Sequence, residues 1–441
     1  MSTESIRFFA ATDVGVVRDH NEDNFLVDKK LGLFIVADGM GGHAAGEVAS
    51  AMAVRTVHEE VKAGAARIAA FAQNVSTAGK NDIASLMEHA VQTACAKIHD
   101  VGSSDPNKRG MGTTLSALLV IGGIGFIAHV GDSRIYMTRD GVVQQVTEDH
   151  TVYNELIRKG KLNAEQLKRV ESKKNALMRA VGVYERVDVD TLVIDIVAGD
   201  AFVLASDGLT QYLTSPDELL GYATGRDAEK APKNLCELAK QRGGSDNITV
   251  ILVQVVPEAD EAASLSRATQ VALKRAVLAK VPIFARLDQR ELLRVMQVAE
   301  TRTFAAGDVL IREGERGDEL YIVLTGKVMV SRGGATLTHL GQGQNFGEMA
   351  LIRSVPRSAT VVAEEYSETL VIHRTDFFEL LRREHQLGLK MLWAFVGVLA
   401  DRLDQTSGEL RDAKQELAAE EIEAIPDTQE WNSPFSVRGG G

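Results

Sequence analysis

The sequence predicts an α+β chain of more than one domain closed by a long helix, and three observations carry that expectation. Over the first 256 residues, apolar strand-like runs ending in Asp-Gly or Gly-Asp alternate with segments of helical period. From Phe304, short strands punctuated by glycine replace them, the pattern of a small barrel or jelly roll. Between Leu389 and Leu417 apolar residues recur three and four apart, as in a coiled-coil seam. The expected organisation is a first domain over 1–256, a helical linker over 257–280, a barrel over 281–380, a long helix over 381–422 and a disordered tail over 423–441.

At 441 residues the chain is too long for one core, and its 45% hydrophobic and 25% charged content is that of an ordinary globular protein. A formal charge of −12 argues against a nucleic-acid surface, which needs an extended basic patch. Cys95 and Cys236 are the two cysteines, too few for a disulfide framework, so a reducing compartment is expected. The N-terminus lacks a basic region followed by an apolar run, so no secretory signal is read. Residues 113–130 approach membrane-spanning length, but Gly122 and Gly123 split them into two β-prone runs, which reads as a buried hairpin. A soluble, cytoplasmic protein is expected.

In chain order, RDHNED packs Arg18, Asp19, Glu22 and Asp23 between two extended segments. FIVADGMGG then brings an apolar strand into a glycine turn, which presents the Asp38 carboxylate and the Gly39 carbonyl at one point before a helix begins. A second helical pattern covers about 81–99. AHVGDSRIY places Asp132 at another strand end, and VLASDGL does the same for Asp207. GGSDNITVILV sets Asp246 and Asn247 just before a final strand. Between these last motifs, residues 147–182 form a polar, basic-rich insertion suited to covering a site. Turns that need only be polar would use Asn, Ser and Lys as freely, so the repeated Asp points to converging oxygen ligands for a hard cation such as Mg²⁺ or Mn²⁺.

RDHNED, DGMGGHAAGEVAS, GMGTTLSAL, HVGDSRIY, ASDGL and GGSDNITV, in that order, resemble the bacterial form of the metal-dependent serine/threonine protein phosphatases of type 2C, over residues 5–256. The resemblance implies an αββα sandwich with a dinuclear Mn²⁺ or Mg²⁺ site at one end. It makes Asp38 the bridging carboxylate, with Gly39 offering its carbonyl to one ion and Asp207 and Asp246 completing the other. Glu22 and Asp23 match residues that hold metal-bound waters, and Arg18 matches the arginine that grips the substrate phosphate. Asp132, shared with Asp207, matches the ligand of a third ion, and Asn247 would orient a water. Such an ion pair lowers the pKa of a bridging water and stabilises an in-line displacement at phosphorus, without a phosphoenzyme. A histidine general acid of eukaryotic members has no clear match, so a metal-bound water is expected to protonate the leaving group. His43 is a weak substitute, and His129 and His150 read as packing or flap residues.

Residues 260–281 pattern as a helix with Leu273, Val277 and Val281 on one stripe, and this helix is the expected hinge between domains. FGEMALIRSVPRSATV then places Glu348 and Arg357 around a short helical turn near Gly347 and Ala350. With GERGDELYIVLTGKV, residues 281–380 resemble the cyclic-nucleotide-binding domain. The resemblance places Glu348 on the ribose hydroxyl and Arg357 on the cyclic phosphate. Ser358 stands where a threonine would favour cGMP and where alanine is common in cAMP sites; cAMP is preferred and cGMP stays open. The seam Leu389, Leu392, Val396, Leu399, Leu403, Thr406, Leu410, Ala413 and Leu417 should pair two copies into a homodimer. Met391, Trp393 and Phe395 offer the alternative of burial on the chain's own barrel. The leading expectation is a phosphatase acting on phosphoserine and phosphothreonine proteins under cyclic-nucleotide control, with no membrane or nucleic-acid partner. The alternatives are a non-catalytic phosphoprotein-binding dimer, or a phosphatase whose barrel is only structural.

Overall fold

The computed structural model describes residues 5–41, 45–73, 79–158, 176–225, 227–257, 261–353 and 355–423. His43, the middle of the 147–182 insertion and the tail from Pro426 lie outside them.

Two antiparallel sheets build the first domain. One has the order β1-β11-β10-β7-β8, from β1 (Ile6–Asp13), β7 (Arg134–Arg139), β8 (Val142–Gln145), β10 (Ala201–Ala205) and β11 (Ile248–Val255). The other runs β2-β3-β5-β6-β9, from β2 (Asp23–Asp28), β3 (Leu33–Met40), β5 (Leu115–Ile121), β6 (Ile124–Val130) and β9 (Asp190–Asp195), with the short β4 (Gly112–Thr113) on the end of β3. Strand alternation makes the sandwich. Phe34 and Val36 on β3 meet Phe202, Leu204 and Ile251 of the opposite sheet, whereas Leu33, Ile35 and Ala37 turn outward under helices α1 (Ala45–Ala63) and α2 (Lys80–Ser104). Val203, Ala205 and Leu252 likewise turn outward under α3 (Ala231–Gln241). The result is the αββα sandwich expected from the motifs.

The apolar stretch 113–130 is the hairpin β5-β6, with Gly122 and Gly123 both at positive φ (57° and 79°) in its two-residue turn. No helix among the described residues is long and apolar enough to cross a membrane.

The linker α4 (Glu261–Lys280) is fastened at both ends. Arg267 donates to the carbonyls of Gly122 and Gly123 at that hairpin tip, while Val277 and Leu278 enter the core of the second domain. Next comes α5 (Gln289–Val298), started by an Asp288–Glu291 capping box.

The barrel pairs the sheet β12-β19-β14-β17 with β13-β18-β15-β16, where β12 is Ala299–Phe304, β13 Val309–Ile311, β14 Glu319–Thr325, β15 Val328–Arg332, β16 Ala335–Leu340, β17 Asn345–Phe346, β18 Thr360–Ala363 and β19 Ser367–His373. α6 (Arg374–Arg383) and the 39-residue α7 (His385–Glu423) follow. Leu387, Met391 and Phe395 of α7 are buried on the barrel, but Trp393 is 60% exposed. The first turns of α7 therefore use one face in cis, and the seam itself points outward.

Candidate metal centre and nucleotide pocket

Register delivers the first two acids. Asp23 on β2 stands directly opposite Asp38 on β3, so both side chains leave the same face of the sheet at the same end. Thr114 Oγ1 accepts from the Asp38 N–H at 2.9 Å, and Ser206 Oγ donates to Asp23 Oδ2 at 2.7 Å. Asp132 occupies the turn between β6 and β7, Asp207 opens a short helix after β10, and Asp246 precedes β11.

These acids act on one another electrostatically. Burial, and then Asp23, Asp207, Asp132 and Asp246, drive the Asp38 carboxyl well above the usual carboxylate range. Burial and the neighbouring acids push Asp23 and Asp132 up to about 7 and Asp207 up to about 6. Asp23 Oδ1 and Asp207 Oδ1 are also buried without a hydrogen-bond partner. Native structures rarely orphan such atoms, and a set of all-oxygen donors short of positive charge fits a hard divalent cation.

Two glycines make the approach possible. A Cβ on Gly39 would fall 2.2 Å from the Gly46 carbonyl, and one on Gly46 would fall 2.8 Å from Glu22 Oε1. Any larger residue at either position would push α1 off the end of β3 and displace Glu22.

Arg18, half exposed, donates to Asp246 Oδ2 at 2.8 Å, so the arginine supplies positive charge to the acidic end. Asn247 departs from its expected water-orienting task. Its Oδ1 accepts from Glu22 N–H at 2.8 Å, and its Nδ2 donates to the carbonyls of Val14 and His20 at 3.0 and 2.8 Å. With both amide hydrogens committed to backbone, the residue anchors the loop that carries Arg18 and Glu22. His129 is buried between Ser116 Oγ and the Glu148 carbonyl, and His150 accepts from Gly131 N–H, so both belong to the packing beneath Asp132.

In the barrel, Glu348 and Arg357 are both buried, while Ser358 is exposed. Gly347 takes φ 77°, and a Cβ there would meet Arg357 Nη1 at 2.8 Å, which fixes glycine beneath the guanidinium. Sequence reasoning missed Glu319. Its Oε2 accepts from Arg357 Nη2 at 2.9 Å, and its carbonyl accepts from Nη1 at the same distance. The acid pair of GDELYIV was the available signal, but no spacing rule ties it to an arginine 38 positions on. The Ala350 N–H donates to the Gly347 carbonyl, so it closes the helical turn instead of standing open to an anion as expected.

Residues 17–252 match the family described as Protein phosphatase 2C, and residues 301–384 match the Cyclic nucleotide-binding domain. The first region is 37% identical over 246 residues to the serine/threonine phosphatase stp of Listeria innocua, covering 55% of this chain and 93% of that protein. It is 35% identical over 251 residues to the serine/threonine protein phosphatase PstP of Mycobacterium tuberculosis, covering 57% of this chain and 45% of that protein. Among solved structures, the S. agalactiae serine/threonine phosphatase aligns with 34% identity and a TM-score of 0.49, over 57% of this chain and 99% of that one.

Proposed function

The chain belongs to the protein phosphatase 2C family and is a protein serine/threonine phosphatase that also carries a cyclic-nucleotide-binding domain; on that premise we propose which of its residues do the work. Asp38, Asp207 and Asp246, with the Gly39 carbonyl, hold two Mn²⁺ or Mg²⁺ ions. Asp23 and Glu22 complete the surroundings, and Asp132 serves a third ion with Asp207. The single observation behind this is the cluster of carboxylates, Asp23 and Asp132 buried and Asp38 and Asp207 partly so, that raise one another's pKa and leave Asp23 Oδ1 and Asp207 Oδ1 unpartnered.

Bound together, such ions activate water and neutralise charge on the transferring phosphoryl group. Asp38 is the acid that all four of the others, Asp23, Asp207, Asp132 and Asp246, push up, which suits it to a shared place among the ligands. Arg18 binds the phosphate of the phosphoserine or phosphothreonine side chain; its exposure, with a single hydrogen bond to Asp246, leaves it able to turn toward substrate. Asn247 keeps Glu22 and Arg18 in place through the loop it anchors. The test is turnover of a phosphopeptide by the full chain with Mn²⁺. Asp38→Asn, which keeps size and removes charge, should lower kcat about a hundredfold or more with an unchanged melting profile. Wild-type turnover by that variant, or by the chelated protein, would sink the assignment.

The nucleotide reading rests on Glu348 and Arg357, both buried, with the carbonyl of Gly347 next to Glu348 accepting from Arg357 Nη1 at 3.3 Å. Arg357 exchanges Glu319 for the cyclic phosphate, and Glu348 accepts from the ribose hydroxyl. cAMP is favoured over cGMP because Ser358 is not the threonine expected of a cGMP site, and occupancy regulates phosphatase activity. The outward seam of α7 supports a homodimer: Leu403, Leu410 and Leu417 are each more than half exposed, a cost that pairing removes. Cys95 and Cys236 as buried free thiols are in keeping with a cytoplasmic setting.

A further inference from the structure

The helix α5 belongs to two cores at once. Leu292 and Val295 pack among barrel residues, whereas Leu293 joins Ile127, Leu192 and Ile194 in the layer between the phosphatase sheets. Met296 touches both clusters. A shift of α5 relative to either domain therefore disturbs the other.

Two arginines on α5 reach into the phosphatase. Arg294, 7% exposed, donates Nη1 to the Thr191 carbonyl on β9 at 2.7 Å. Arg290 pairs with Glu148 Oε2 at 2.5 Å, each side chain about a quarter exposed. Glu148 lies in the strap Val146–Thr151 that leaves β8, and this strap is bonded residue by residue to the segment that contains Asp132. The Val146 N–H donates to the Ile135 carbonyl, and Thr147 Oγ1 accepts from the Ile135 N–H. The Glu148 carbonyl is 2.9 Å from His129 Nε2, and Asp149 takes a bidentate grip from Arg134. His150 bonds Gly131 twice, once through each partner's N–H. Residues 146–150 thus frame residues 129–135 on both sides of Asp132. The second arginine reaches the same strap, because Asp190, next to Thr191, pairs with His150 at 3.2 Å.

We propose that Arg290, supported by Arg294, is a positioning residue for the phosphatase: through Glu148 and the strap it sets the placement of the Asp132 turn, and α5 is the path by which the barrel reaches the metal centre. The path differs from the linker helix expected to act as hinge, whose two ends are held by Arg267 and by Val277 and Leu278. Only its regulatory half rests on the nucleotide reading above.

The experiment uses the full chain. Arg290→Met, Glu148→Gln and the charge swap Arg290→Glu with Glu148→Arg are compared by kcat and KM on a phosphopeptide with Mn²⁺. Amide hydrogen exchange over 129–135 is followed in the chelated protein. Each single variant should lower kcat about fivefold, the low end of common coupling effects, with KM within about twofold, and should speed exchange at 131–134. Combining the two single changes should cost no more than one alone, and the swap should recover most of kcat. A merely structural ion pair would shift the melting temperature and leave exchange at 131–134 untouched. Wild-type kcat with wild-type exchange in both single variants, or additive losses in the double variant, overturns the proposal. Both variants should keep the wild-type cyclic-nucleotide affinity and lose most of the kinetic response to cAMP. If the wild type shows no response to cAMP or cGMP, the nucleotide reading fails, while the basal and exchange results still decide the role of Arg290.

Discussion

In the proposed site Arg18 would join the recognition end of the reaction to its metal end: its guanidinium donates to Asp246 and would have to turn to reach a substrate phosphate. An interaction present in both ground and transition states acts on binding, so Arg18→Ala should raise KM for a phosphopeptide more than it lowers kcat. Steady-state kinetics with an unchanged KM would remove it from the site. The acids make a second prediction. Asp23 and Asp132 rise from an ordinary 3.8 to about 7 in the fold, so without cation they prefer the folded state when protonated. Their contribution is complete below about pH 4 and is lost as pH rises toward about 7. Cations reverse the balance by binding the ionised forms. In chelator, the melting temperature should therefore fall between pH 5 and pH 8, and added Mn²⁺ should raise it more at pH 8 than at pH 5. Equal increments at the two pH values would count against an acid-rich cation site. At this scale the sequence was informative where chemistry repeats: Asp38, Asp132, Asp207 and Asp246 could be picked out as strand-end acids. Glu319 and the backbone duty of Asn247 were hidden, since both depend on pairings between segments far apart in the chain.

Among the elements, α7 divides its apolar residues between two tasks. Met391 and Phe395 are spent on the barrel, and Leu399, Leu403 and Leu410 remain outside. About 42 Å of helix, from Leu389 to Leu417, carries the seam, enough for several layers of paired side chains. Lysine at Leu399 and Leu403 together would place unpaired charge in two adjacent layers, and the dimer should dissociate to monomer in sedimentation at micromolar concentration. A wild type that sediments as a monomer under the same conditions refutes pairing. The strands were legible because their period and their glycine breaks agree, as in the hairpin at Gly122 and Gly123. α5 was not singled out: Leu292, Leu293, Val295 and Met296 read as the single apolar face of an ordinary amphipathic helix, and spacing does not tell that the face is divided between two cores.

For the whole molecule, a coupling of about 1 to 3 kcal/mol between nucleotide pocket and metal centre would change phosphatase activity roughly fivefold or more. Activation by cAMP is the expected direction. Arg357→Ala should abolish nucleotide binding in calorimetry and the kinetic response with it, because on the proposed reading the buried guanidinium would supply the charge that holds the cyclic phosphate. Absence of cAMP and cGMP binding to the wild type, or a parental response in Arg357→Ala, would end the regulatory reading.

The double allegiance of α5 also decides where this gene can be cut. A fragment ending at Pro257 would carry every strand of the sandwich, yet it would uncover the Leu192 and Ile194 seat that Leu293 fills, at about 1.5 to 3 kcal/mol for one such side chain. Such a fragment should be the stickier and less heat-tolerant product in a truncation series, and a fusion or swap of regulatory modules should keep residues through Val298 with the phosphatase half.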